Sequence, residues 1–107
     1  MKVTYTFRHM DASDRAKAHT KDKLERLARF EDREMSVDVV FTTEKHEVSA
    51  EFKVSGAHGT FMVSETRPDL FEAIDVGVDK LDQVLSRDKE RRKHHKGNQG
   101  TTPQDIG

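Results

Sequence analysis

The sequence predicts a small α/β domain of the two-layer α+β kind, in the order β-α-β-β-β-α. Two helices pack on one face of a four-stranded mixed sheet. Three observations carry this. Four short segments alternate apolar and polar residues at the strand period. Two longer segments repeat apolar residues at the helix period, and turn or capping residues separate all six. With 107 residues, one domain is the natural count; with 33% hydrophobic and 36% charged residues, it has a small core under a heavily charged surface.

Residues 2–7 open the fold as a strand, with Val3, Tyr5 and Phe7 on one face. Asp11 and Ser13 offer oxygens to the start of a helix, and Asp14 suits its first turn. That helix fits residues 13–30, where Ala16, Thr20, Leu24 and Leu27 form a narrow stripe and Phe30 closes its edge. Residues 36–42 are the second strand, with Val37, Val39 and Phe41 inward. Residues 47–54 are the third, with Val48, Ala50, Phe52 and Val54. Residues 43–46 read as the hairpin loop between them, with a longer hairpin in another register as the alternative. Gly56-Ala57-His58-Gly59 is the next turn, and residues 60–65 are the fourth strand.

Asp69 is the expected N-cap of the second helix, with Glu72 three residues on in capping-box spacing. Its core face is Leu70, Phe71, Ile74, Val78, Leu81 and Leu85. Helical character continues to about residue 94, but the apolar stripe stops at Leu85, so the last turns should project into solvent. Residues 1–95 are read as the domain. Residues 96–107, rich in Gly, Asn, Gln and Thr without any period, read as a disordered tail. The β-α-β start implies a parallel pair with a right-handed crossover. The short later connections imply antiparallel pairing. One apolar face per strand implies one covered sheet face, with the helices abreast as its cover.

Net charge is −1, but it is unevenly placed. Residues 1–30 carry eight Lys/Arg against four Asp/Glu, residues 31–79 four against twelve, and residues 80–107 seven against four. The first helix sets Arg15, His19, Asp22, Arg26 and Arg29 on one flank, with Lys23 nearer the stripe and Lys17 and Lys21 opposite. The second sets Glu72, Asp75, Asp79 and Asp82 on one flank and Lys80, Arg87 and Arg91 on the other. Helices lying abreast are expected to bring the two basic chain ends to one side, as a ridge or cleft suited to phosphates. The plainer alternative is a solvated surface with pairs such as Asp22–Arg26 and Glu25–Arg29. Among the acids of the middle segment are Glu44, Glu47, Glu51 and Glu65; those on strands are expected on the uncovered sheet face.

Several classes find no support. There is no Cys, so no disulfide framework or thiolate metal site. No apolar run has the length of a membrane span or a signal-peptide core, and the chain reads as cytoplasmic. His94-His95 lacks a third ligand, so no metal is expected, and neither a phosphate-binding glycine loop nor a nucleophile motif is present. Phe30 and Phe71 read as core aromatics before base-stacking platforms.

The segment Pro68-Asp69-Leu70-Phe71-Glu72-Ala73-Ile74-Asp75, followed by Asp79-Lys80-Leu81 and Leu85, resembles the Asp-Met-Tyr-x-Ala-Ile helix start of the short ribosome hibernation-promoting factors and ribosome-associated inhibitor A, also labelled sigma-54 modulation proteins. Asp22-Lys23-Leu24-x-Arg26-Leu27 and Phe30 resemble the first helix of that family. The likeness covers about residues 1–95. It implies a fold similar to a double-stranded-RNA-binding domain with an added strand. It also implies a translation inhibitor that sits in the mRNA/tRNA channel of the small ribosomal subunit and contacts 16S rRNA. By position, Lys23, Arg26 and Arg29 would be first-helix phosphate contacts, Lys80, Arg87 and Arg91 second-helix contacts, and Arg15 and Lys17 further candidates. The resemblance implies no enzyme activity, cofactor, small-molecule substrate or membrane, and a monomer when free. Gln83 stands where some relatives have Arg, and the tail matches neither an acidic tail nor a dimerising domain. The remaining alternatives are a duplex-RNA-binding module acting off the ribosome and a regulator whose basic helices meet an acidic protein.

Overall fold

The computed structural model describes residues 1–30 and 34–98. Strand β1 (Lys2–Arg8) leads to helix α1 (Asp14–Leu24), which tightens into a 3-10 helix over Glu25–Phe30. Strands β2 (Ser36–Glu44), β3 (Glu47–Gly56) and β4 (Gly59–Arg67) follow, and helix α2 (Leu70–Asn98) closes the order. The strands lie in the order β1-β2-β3-β4. β1 pairs with β2 in parallel, Val3 beside Val37, and the other pairs are antiparallel. The predicted mixed sheet with two helices on one face is the observed one.

The element ends follow local chemistry. The Ser13 hydroxyl accepts a hydrogen bond from the Ala16 N–H at 3.1 Å, and the Asp69 carboxylate accepts one from the Glu72 N–H at 3.1 Å. The expected 13–30 helix changes character at Glu25. The stripe explains this: Leu24, Leu27 and Phe30 are spaced by three, and residues three apart eclipse in a 3-10 helix but drift around an α-helix. The tighter winding holds Leu24 and Leu27 in the core together. The β2–β3 connection is shorter than the expected loop. Thr43 and Glu44 pair with Val48 and Glu47, leaving Lys45 and His46 as the turn, with Lys45 at a left-handed φ of 55°. Gly59 sits at φ 124°, a conformation that side-chain-bearing residues rarely adopt.

The core lies between sheet and helices. Val37, Val39, Phe41, Ala50, Phe52 and Val54 face Ala73, Ile74, Val78 and Leu81 of α2, and Ala16, Leu24 and Leu27 complete it. Gly77 lets α2 approach the sheet, because a Cβ there would overlap Cε1 of the fully buried Phe52 and stand 3.1 Å from its Cδ1. Among the described side chains of α2, Leu85 is the last that is buried, as the end of the apolar stripe implied. The helix has 29 residues, about 43 Å at 1.5 Å per residue, so its C-terminal part outruns the core. It passes the expected boundary at residue 95. Of the expected tail, residues 99–107 lie outside the described residues, as do the side chains of His94 and His95.

Candidate nucleic-acid interface

The helix layer carries the cations that the sequence singles out, in three settings. The first is the seam between α1 and α2. His19 Nε2 donates to Asp75 Oδ1 at 2.7 Å, and Lys23 Nζ lies 3.9 Å from the same oxygen. Arg26 pairs with Asp79 and reaches Asp82 at 3.5 Å. Arg29 forks onto Asp82 with two bonds of 3.0 Å and also bonds the Arg26 carbonyl. Residue numbers rise together on both sides of the seam, so the helices run parallel. The partners of Arg26 and Arg29 are the aspartates of α2, rather than Asp22 and Glu25 of their own helix.

This corrects one expectation. The Lys/Arg rows of the two helices do not join into the single ridge or cleft expected on one side. The acidic flank of α2 turns toward the basic flank of α1, and Lys80, Arg87 and Arg91 lie on the other flank. A helical wheel separates the two flanks of α2, but only the sheet order decides which of them meets α1.

Lys80 defines the second setting. It pairs with Glu65 of β4, which also accepts Arg67 at 2.9 Å. Glu65 is only 7% exposed. It was expected on the uncovered sheet face, yet Phe61, Val63 and Glu65 are two apart, and side chains two apart share a face. Counting from Phe61 would have placed Glu65 under α2. The sequence reading missed this residue, and that alternation was the available signal. The acidic middle segment therefore does not form one repellent side, because its charges divide among the seam, the covered face and the open face.

The third setting is the projecting part of α2. Arg91 and Arg92 both pair with Asp88, at 3.1 and 2.9 Å. Arg87 is exposed and has no ion pair among the described residues. Lys89, not among the candidate contacts, lies with its Nζ 5.9 Å from the centre of the Phe30 ring, which the Arg29 guanidinium covers at 4.2 Å. Arg29 and Lys89, distant in sequence, thus share one aromatic platform at the seam's end. Arg15 lies 5.3 Å over Phe71, and Phe71 takes the edge-on ring of His19. Both phenylalanines are half-buried, in accord with core packing. Lys17 lies on the opposite flank of α1, where its carbonyl accepts the Tyr5 hydroxyl at 3.3 Å.

These pairings shift carboxyl groups in one direction. The bond from Arg29 holds Asp82 below the usual aspartate value of 3.8, outweighing burial, and the bond from Lys80 does the same for Glu65 against its usual 4.5. At Asp88 burial pushes upward, but the bonds from Arg92 and Arg91 together win. A carboxyl depressed in the folded state adds stability that is complete above its unfolded value and is lost as pH falls through the folded one. Urea unfolding followed from neutral pH downward should therefore show stability declining below about pH 5. The decline should be shallower in the Glu65→Gln/Asp82→Asn variant; an unchanged decline would place the acid sensitivity elsewhere.

Among the described residues no group of His, Cys, Asp and Glu is arranged to hold a metal ion, and no helix is long and apolar enough to cross a membrane. The fold and its helical face define a two-layer α+β domain with paired cations along a helix seam and a basic helix end. The chain belongs to the family described as Sigma 54 modulation protein / S30EA ribosomal protein, whose model matches residues 3–93. It is 34% identical over 107 residues to the ribosome hibernation promoting factor of Azotobacter vinelandii, covering 98% of this chain and 96% of that one. It is 26% identical to the factor of the same name from Pseudomonas putida, over 86% of this chain and 90% of the relative. Among solved structures, the N-terminal domain of Thermus thermophilus Protein Y superposes with a TM-score of 0.75 at 30% identity, over 81% of this chain and 98% of that one. A ribosomal subunit interface protein from Coxiella burnetii superposes with a TM-score of 0.76, over 84% and 99% of the chains; at 23% identity it attests the fold alone.

Proposed function

We propose that this protein is a ribosome hibernation factor that acts by occupancy. It seats in the mRNA/tRNA channel of the small ribosomal subunit, grips 16S rRNA by its backbone phosphates, and excludes mRNA and tRNA. No bond is made or broken, so the protein needs neither catalytic residue nor cofactor. It works in the cytoplasm and is a monomer when free.

Family membership supports the ribosome as partner. The observation that carries the mode of binding is the end of α2. Arg87, Lys89, Arg91, Arg92 and Lys93 stand there against Asp88 and Glu90, beyond the buried Leu85, where side chains can follow a sugar–phosphate backbone without disturbing the core. The RNA contacts on this reading are Arg87 and Arg91 of the projecting part, Lys23, Arg26 and Arg29 of the seam, Lys80, and, at the rim, Arg15 and Lys17. Seam cations reach phosphate by exchanging their aspartate partners.

Sucrose-gradient sedimentation with purified small subunits tests this. A protein that neutralises about six to ten phosphates loses about 10³–10⁵ in affinity between 50 and 200 mM salt. Co-sedimentation should be complete at the lower salt and lost at the higher. Binding that ignores salt, or that survives ribonuclease treatment of the partner, would overturn the phosphate mode. Preference for free duplex RNA over subunits would overturn the ribosomal one.

A further inference from the structure

We propose that Asp79 and Asp82 determine selectivity among polyanions by competing internally for the arginines of the α1 side. The inference rests on the RNA-binding reading above and adds to it residues that touch no RNA.

Arg26 and Arg29 are the two guanidinium groups of the seam, and both are already engaged. Arg29 holds Asp82 in a fork of two parallel bonds, the geometry with which guanidinium also grips phosphate. Arg26 pairs with Asp79 and reaches Asp82. Asp75, Asp79 and Asp82 recur at i, i+4 and i+7, so the carboxylates form one row along the seam, as phosphates of a docked strand would. The row opens to solvent at Asp75 and Asp79, whose side chains are 45% and 61% exposed beside Arg26 at 43% and Arg29 at 51%, while Asp82, at 20%, is its more enclosed end. The exposed Arg26–Asp79 pair holds weakly and exchanges readily, and the Arg29–Asp82 fork less so.

The consequence is a threshold. A loosely ordered polyanion offers one phosphate at a time and meets a cation that already has a partner. A folded RNA surface that presents several phosphates in register displaces the row together. The aspartates thus subtract from every polyanion interaction, and subtract relatively less from one that matches the seam.

The test measures binding of labelled poly(U) and of purified small subunits across a salt series. The proteins are the full chain, Asp79→Asn, Asp79→Asn/Asp82→Asn, and Glu44→Gln, which removes the same charge at the β2–β3 hairpin. Freeing one cation should steepen the log–log salt dependence on a single strand by about 0.7, which is about fivefold tighter poly(U) binding at 0.1 M salt. Subunit binding should rise by less, so the ratio falls. Asp79 is exposed, so Asp79→Asn should melt as the parent does. The double variant also loses the Arg29 fork on Asp82 and should melt somewhat lower, so its binding is compared at a temperature where melting shows it folded. Unchanged poly(U) affinity, or an equal gain in Glu44→Gln, overturns the proposal. Failure of the parent chain to bind subunits would instead strike the proposed function, while the poly(U) series still decides whether the aspartates compete.

Discussion

Reversing Arg87 and Arg91 together to glutamate should lower affinity for the small subunit by more than about 50-fold at 0.1 M salt. Each cation that neutralises a phosphate adds about 0.7 to 0.9 to the salt slope, so two lost contacts account for a factor of that size before the added repulsion is counted. The fold should survive. Both residues lie beyond Leu85 and are exposed, and Asp88 keeps Arg92 when Arg91 is lost. Arg91→Glu still sets a second carboxylate near the mostly buried Asp88, so a small fall in melting temperature is expected while the protein stays folded at the binding temperature. Sedimentation and thermal melting on the same samples check both halves, and full binding by the reversed protein would remove the projecting helix from the interface. Lys80→Glu makes an instructive contrast. It sets a second carboxylate against Glu65, which is nearly buried, so its melting temperature should fall. Lost binding in that variant would report a damaged body rather than a missing contact. Arg26 and Arg29 raise the same problem more mildly, because reversing them strands the aspartates that face them.

Filling the notch at Gly77 should cost more stability than any change on the helix surface. In isolation Gly77→Ala would favour the helix by about 1 kcal/mol. Here the new methyl would overlap Cε1 of Phe52 and stand 3.1 Å from Cδ1. The ring belongs to β3, which is paired on both sides, and it is fully buried, so it has nowhere to turn. Overpacking of this kind costs about 1–3 kcal/mol, and Gly77→Val, with more bulk and a β-branch, belongs at or beyond the upper end. For a domain near 100 residues each kcal/mol lowers the melting temperature by about 4–8 °C. Pairing Gly77→Ala with Phe52→Leu should recover part of the loss, since the two side chains share one space. A rise in melting temperature for Gly77→Ala alone would mean that the ring yields.

The interface is less legible in the sequence than the fold. Lys23, Arg26 and Arg29 are recognisable as a basic flank, but their partners lie more than fifty residues away on another helix, and helical spacing is silent about residues so distant. Glu65 was within reach, because alternation from Phe61 sets its side. Lys89 was not, because it joins Arg29 only where the 3-10 segment ends against α2. The change to 3-10 winding at Glu25 was half legible: the spacing of three was visible in Leu24, Leu27 and Phe30, yet it also fits a short stretch of α-helix.

By itself the sequence determined the element order, because the alternation of Val37, Val39 and Phe41 or the stripe from Ile74 to Leu85 is a local periodicity that each segment carries with it. It also determined the capping oxygens of Ser13 and Asp69, which act within three residues, and the end of the apolar stripe at Leu85. Only the tertiary structure decided which flank of α2 meets α1. That depends on where β4 lies in the sheet relative to β1, a relation between distant segments that no local pattern encodes. It turns two rows of charge into a seam of cations with carboxylates already beside them.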